Sequence, residues 1–545
     1  MTIRDGIVDG SGSISNNIRH MMKTEASSDY RFLDDHVQQK HAPESKCFFV
    51  VLLVGIYWLF EALPLAVTAL LPIVLYPMLG ILSADETCKS YMPDVNFLCF
   101  GGLVVALAVE KCNLHQRIAL RVLTWVGPKP NWILLGFMCI TGFLTNSENG
   151  IVINSLCMKM IIEQTVHEGR KTLPKLETRT SQEVTNLAKA LLLGMCFASS
   201  LGGMATLTGT STNLIMAGLV TNSFPLEKGQ SVNYTLWMLF AVPVTVICLI
   251  MCWLVLQFYF LGIRSTIKNL TCGDSRMNSS EEKVKKIIAS KYSNQPSMSY
   301  AEVSVLTLFS ILVLMWMLRD LGASTFSGFG VLFKPRYFTD GTSAILVTIL
   351  LFILPDQKMH IFSSSSSTLM DWKTMTAKFP WNVILLLGGG FGLAAGVRQS
   401  GLSASIGALL SLVGNIPLYA LQLLCMTMAV VATNIASNIV VGSILIPVTA
   451  TLAQNSHINP LALIFPTTIA CSYAFMLPAG TPPNAIVLAP GIIRLKDMAG
   501  AGFFVSIVCI AFVTIHCQTL ANLYIAFDTF PVWAEILNVT TVAPV

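Results

Sequence analysis

GGLVVALAVEKCNLHQRIAL, residues 101–120, returns 288 residues later as GGFGLAAGVRQSGLSASIGA, residues 389–408. The two stretches align without gaps, setting Gly101 on Gly389, Ala106 on Ala394, Val109 on Val397, Leu114 on Leu402 and Ile118 on Ile406. At the same offset Thr145-Asn146 falls on Thr433-Asn434, and Asn149-Gly150-Ile151 falls on Ser437-Asn438-Ile439. Each is a small polar cluster inside an apolar run. Further on, GTSTN at 209–213 matches GTPPN at 480–484 with an offset of 271, as expected if the polar loop 163–189 lengthens the first half. A single glycine match is chance, but three polar clusters in the same order in two hydrophobic halves indicate a duplicated unit.

Composition fixes the medium in which that unit folds. The 545 residues are 54% hydrophobic and 12% charged, whereas soluble domains carry about 25% charged residues. An ordinary cytosolic enzyme is excluded. A formal charge of +5 over this length offers no phosphate-neutralising surface, which excludes a nucleic-acid binder. The 14 cysteines are scattered through apolar runs, with no close pairs at zinc spacing, and read as small buried hydrophobes. Apolar runs recur from Cys47 to about Ala526, room for roughly a dozen embedded segments at about 20 residues per crossing. Clean spans are expected at 234–262, 301–319 and 500–526, while those at 95–118, 131–163, 380–409 and 420–453 are broken by Gly, Pro and Asn. Broken backbone at membrane depth is tolerated only where it is buried in protein or lines a wet cavity. The expected fold is therefore an all-α polytopic membrane protein of two inverted repeats, each with a re-entrant hairpin and a broken helix, the plan of a secondary transporter.

Charge sets the expected topology. Residues 1–46 form a polar, balanced tail, expected to be disordered and cytoplasmic; no apolar region follows Met1, so no cleavable leader is expected. Residues 47–262 are the first half, including loop 163–189; 263–303 form a second polar loop with an excess of three positive charges; 304–526 are the second half; 527–545 are an extracellular tail. Both loops are assigned to the cytoplasm by the positive-inside rule. Asn538 in NVTT is then a glycosylation acceptor, while Asn269 and Asn278 stay bare.

The chemistry follows from the breaks. An interrupted helix exposes N–H groups with partial positive charge that can hold an anion, and freed carbonyls with Ser, Thr and Asn oxygens suit a small hard cation such as sodium. The triplet Gly388-Gly389-Gly390 has no polar βαβ surroundings and is no nucleotide fingerprint.

At these residues the chain resembles the divalent anion/sodium symporter family, specifically the animal sodium-coupled dicarboxylate and citrate transporters of the INDY type. The resemblance rests on residues 58–82, 101–123, 198–215, 380–401 and 477–487. It implies a homodimer at the plasma membrane, each protomer with a scaffold domain and an elevator-like transport domain, that couples sodium to succinate-, malate- or citrate-like anions and needs no other cofactor. It implies sodium ligands at Thr433, Ala436, Asn438 and Gly480, and a substrate clamp at Ser437, Asn438, Thr481 and Pro482, with Ile439 standing where the family motif has Thr. At the first site it implies sodium at Thr145, Asn149 and Gly209 and substrate at Asn149, Gly150 and Thr210, although the Ser-Asn-Thr tip reads Asn-Gly-Ile and the partner loop has Ser211-Thr212 for Pro-Pro.

Glu148, beside that tip, is a candidate coupling residue, since an ionisable group at membrane depth is a functional candidate by default. The alternative places it in an aqueous vestibule. Glu61 reads as a helix-break or scaffold contact, and Glu110 and Arg117 as a structural pair or surface charges. Two other functions stay open: a sulfate or inorganic oxyanion transporter of the same fold, and a transport-deficient regulatory paralogue with a degenerate first site. An enzyme is not expected.

Overall fold

A computed structural model describes residues 43–534 apart from 59, 61, 127–129, 145–177, 225–231, 263–289, 291, 321–327, 335–336, 358–366, 403–404, 406–415, 479 and 489–490. The first half comprises α1 (43–58), α2 (Leu71–Leu79), α3 (Ala84–Tyr91), α4 (Asp94–Lys111), α5 (Leu114–Val126), α6 (Pro130–Leu144), α7 (Thr178–Gly203), α8 (Ser211–Ser223) and α9 (Tyr234–Leu256). The second comprises α10 (Tyr300–Arg319), α11 (Asp340–Ile353), α12 (Trp372–Lys378), α13 (Trp381–Gln399), α14 (Leu418–Ile435), α15 (Asn438–Asn455), α16 (Pro460–Ala470), α17 (Pro482–Leu488) and α18 (Leu495–Gln518). Among the described residues, seven helices are long and apolar enough to cross a membrane and five shorter ones are apolar, close to the dozen expected. The three clean spans appear at Tyr234–Leu261, Tyr300–Arg319 and Leu495–Ile525. One face of α10 leaves Val303, Leu306, Ile311, Leu314 and Leu318 exposed, an apolar surface of the kind a membrane-spanning helix presents to lipid.

The repeat is visible in the helix boundaries. The 288-residue offset carries Ala84, the start of α3, onto Trp372, the start of α12; Lys111, the end of α4, onto Gln399, the end of α13; and Pro130, the start of α6, onto Leu418, the start of α14. The turn after each long helix is also shared: Asn113 has φ 58° and its counterpart Gly401 has φ 80°. Gly101 and Gly389 do the same work in both halves. A Cβ on Gly101 would lie 2.6 Å from Ala344 Cβ on α11, and one on Gly389 would lie 2.7 Å from Ala69 Cβ.

The halves interdigitate. Helices α11 and α12 pack on α4, whereas α2 and α3 pack on α13, so each half supplies the cover for the other's long helix. Ion pairs join the same elements: Lys111 Nζ reaches Asp371 at 2.8 Å, and Lys378 Nζ reaches Glu110 at 2.8 Å. Glu110 and Arg117 are thus structural, but not with each other. Arg117 lies one turn and a bend further on and pairs with Glu302 at 2.9 Å while also donating to the Pro296 carbonyl. Glu61 lies outside the described residues.

Candidate transport site at two broken helices

The hairpin α14–α15 turns in two residues. Ala436 (φ −119°, ψ 162°) and Ser437 (φ −58°, ψ 141°) are non-helical, and α15 starts at Asn438. No side chain caps α15, so its first N–H groups keep the partial positive charge of an open helix terminus. The Ser437 hydroxyl, which at this position ordinarily folds back on the helix, is left for another partner.

Beside the tip, oxygens gather. The Thr433 hydroxyl, fully buried on the last turn of α14, lies 2.6 Å from Asn438 Oδ1 and 2.6 Å from the Cys471 carbonyl. One proton serves two acceptors, and the surplus of oxygen suits a hard cation. Gly480 closes this cluster: a Cβ there would sit 2.5 Å from the Thr433 carbonyl oxygen. Next in sequence, Thr481 is buried and its Oγ1 has no hydrogen-bond partner among the described residues. Pro482 and Pro483 then open α17 without N–H groups, leaving anion donation at this half-site to α15. Thr433, Ala436, Ser437, Asn438, Gly480, Thr481 and Pro482 therefore share one locality. Ile439 is half-buried, packs against the apolar core and passes its carbonyl to the Ser443 hydroxyl at 2.8 Å.

The first half repeats part of this. Thr210 caps α8, accepting from the Asn213 N–H at 3.4 Å. Gly209 is indispensable for close approach, since a Cβ there would fall 2.1 Å from the Gly203 carbonyl oxygen. Ser211 and Thr212 are both buried and, unlike the two prolines, keep their N–H groups. Thr145, Glu148, Asn149 and Gly150 of the first tip lie outside the described residues, as does Asn538. The halves meet where α8 packs on α15: the Thr212 methyl lies 2.6 Å from where a Gly442 Cβ would be, one turn beyond Asn438.

Two asparagines that sequence reading left without a role shape the loops. Asn484 Nδ2 donates to the carbonyls of Ala474 (2.7 Å) and Leu477 (2.8 Å), and its Oδ1 accepts from the Cys196 thiol at 2.8 Å. Asn213 Nδ2 donates to the equivalent carbonyls, Thr206 at 2.8 Å and Gly203 at 3.4 Å. Asn434 adds a third clasp, accepting from Met476 N–H at 2.7 Å and donating to Val430 O at 2.7 Å. The signal was present as the final Asn of GTSTN and GTPPN: an amide in the first turn of a buried helix must spend its hydrogen bonds somewhere.

Two loops that break helices, lined with neutral oxygens and joined in the second half by an uncapped helix start, held in intertwined repeats, define a membrane transport protein of the secondary-transporter class, not an enzyme. The sequence profile described as "Sodium:sulfate symporter transmembrane region" matches residues 38–525, and the chain belongs to that family. It is 42% identical over 508 residues to the sodium-dependent high-affinity dicarboxylate transporter 3 of Caenorhabditis elegans, covering 91% of this chain and 87% of the relative. It is 35% identical to the Na(+)/citrate cotransporter of Mus musculus, covering 91% and 94% respectively. The crystal structure of the YdaH transporter from Alcanivorax borkumensis, described as having an unusual topology, matches 89% of this chain and 99% of its own at 13% identity and a TM-score of 0.47, too distant a likeness to carry weight.

Proposed function

We propose that the protein is a sodium-coupled transporter of di- or tricarboxylates of the succinate, malate and citrate class. It resides at the plasma membrane with its N-terminus cytoplasmic and its C-terminus outside, as a homodimer whose transport domain moves as an elevator against a scaffold. One observation carries this reading: the Thr433–Asn438–Cys471 oxygen cluster, closed by Gly480, beside the uncapped start of α15. Cation and anion chemistry adjoin there without a fixed positive side chain, so binding of one ligand favours the other and neither is held too tightly for release. The names of the relatives, dicarboxylate and citrate transporters that depend on sodium, support carboxylates over sulfate. The first tip, with Asn149-Gly150-Ile151 and Glu148, is where coupling departs from the sodium pattern toward a proton or no cation.

The test is uptake of radiolabelled succinate, citrate and sulfate by cells or proteoliposomes in sodium, choline and acidic buffers. Sodium-dependent succinate or citrate uptake is expected. Sulfate uptake alone would transfer the reading to an oxyanion carrier, and no uptake or ligand-induced thermal shift with any anion would reduce the chain to a regulatory paralogue. Glu148→Gln is expected to alter the pH or sodium dependence of uptake; unchanged profiles would remove Glu148 from coupling.

A further inference from the structure

The pseudo-symmetry makes one comparison atom for atom. Cys196 on α7 donates its thiol to Asn484 Oδ1 on α17 at 2.8 Å. At the 271-residue offset Cys196 falls on Thr467 and Asn213 falls on Asn484, so the symmetry mate of this bond joins Thr467 on α16 to Asn213 on α8. The packing obeys the symmetry, with α7 on α17 and α16 on α8. The bond does not. Thr467 Oγ1 and Asn213 Oδ1 both belong to fully buried residues, and neither has a hydrogen-bond partner among the described residues.

A buried oxygen without a donor is costly, and in a native fold such a group points to a bound water or ion. Thr467 had a cheaper choice. Its neighbour Thr468 returns its hydroxyl to the Ile464 carbonyl at 2.7 Å, the usual refuge of a threonine inside a helix, and Thr467 does not follow it. A third oxygen is loosely held at the same place: Asn213 Nδ2 stands 3.4 Å from the Gly203 carbonyl, where the equivalent bond from Asn484 to Ala474 is 2.7 Å. Amide and hydroxyl oxygens without a partner among the described residues, beside a carbonyl held only by one long bond, match the ligand preference of a small hard cation, and a thiol in the same position would not.

We infer that Asn213 Oδ1 and Thr467 Oγ1, with the Gly203 carbonyl, form an additional sodium site between α8 and α16, a site that its symmetry mate has closed with the Cys196 thiol. The inference rests on the sodium-coupled reading above. Asn213 also donates its N–H to Thr210 Oγ1 at 3.4 Å, so a cation there would hold the 203–210 loop in the form that presents Thr210. Sodium bound at this place orders the first half-site without touching substrate.

The experiment uses the full-length protein. Thr467→Val removes the oxygen at nearly constant volume. Thr467→Cys copies the closed arrangement of the other half, so it is the variant expected to fold best while losing the cation; Thr467→Ser keeps the oxygen. Sodium-activation curves of succinate uptake and the sodium-induced thermal shift of the purified protein are read for each. Expected are a rise of about tenfold in half-activating sodium, a lower Hill coefficient and a smaller sodium-induced shift for Thr467→Val and Thr467→Cys, with Thr467→Ser near wild type. If wild-type uptake needs sodium but Thr467→Cys has a wild-type sodium curve and thermal shift, the site holds water and the inference is overturned. If wild-type uptake ignores sodium, the coupling reading fails first and the inference falls with it.

Discussion

At Gly480 the bare backbone rests against the Thr433 carbonyl, and a methyl group there would come within 2.5 Å of it. The carbonyl cannot step aside, because the same residue's hydroxyl is engaged with Asn438 and Cys471. Gly480→Ala is therefore expected to raise half-activating sodium for uptake by about tenfold or more, about 1.4 kcal/mol of lost cation binding, with surface expression retained; unchanged sodium activation would remove Gly480 from the cation site. Thr481→Val tests the neighbouring atom. Its buried hydroxyl has no partner among the described residues, so its loss should leave stability nearly untouched while raising KM for succinate by about tenfold, the value of one hydrogen bond to a charged group. A drop in thermal stability without a KM effect would make the hydroxyl structural. Thr433, Gly480 and Thr481 stand in polar clusters that repeat as Thr145, Gly209 and Thr210, whereas Asn438, which falls opposite Gly150, is reached through the family resemblance. The clasp made by Asn484 could not be picked out in the sequence, because its partner Cys196 lies 288 residues away in the chain and nothing local to either residue points to the other.

The elements were legible where a period or a repeat spoke for them. Offset copies of α3, α4 and α6 begin or end on the matching residue, since the same apolar lengths and the same turn chemistry were duplicated with the sequence. The turn itself makes a test. Asn113 and Gly401 both hold left-handed backbone, with φ 58° and 80°, and both residue types adopt it more readily than most. Gly401→Ala is expected to destabilise the purified protein by about 1–2 kcal/mol, the left-handed cost of a Cβ, whereas Asn113→Gly should leave the unfolding temperature equal or raised. Equal effects of the two substitutions would show that the turns are not equivalent. Charged partners were less legible than helices: Glu110 and Arg117 sit on one stretch of sequence, yet α4 ends and the chain bends at Asn113 between them, sending them to Lys378 and Glu302. In the sequence they read as a structural pair or surface charges, and the bend gives each a separate partner.

For the molecule as a whole, the interlocking of the halves governs how it responds to pH. Asp371 caps α12 by accepting from the Thr374 N–H at 2.7 Å, and it accepts from Lys111 at 2.8 Å at the end of α4, so a single carboxylate ties the second half to the first. The Lys111 ammonium, then the Thr374 contacts, hold this carboxyl well below the ordinary range. A carboxyl whose folded pKa is depressed contributes stability that is fully present above its unfolded pKa, about 3.9, and that is lost only as pH falls below that value through the folded one. Asp371 is therefore ionised on both sides of any physiological acidification. Because the pair is partly exposed, with side-chain exposures of 30% and 42%, its contribution is at most about 1 kcal/mol. Asp371→Asn should lower the unfolding temperature slightly and by the same amount at pH 8 and pH 5.5, which thermal unfolding of the purified protein in detergent at the two pH values measures. A gap that closes by pH 5.5 would mean that the carboxyl is not held low and that the latch opens in acid. With the latch constant across that window, any change of uptake between pH 8 and 5.5 in the Asp371→Asn variant as in wild type belongs to the site or to protonation of the substrate, and not to loosening of the intertwined halves.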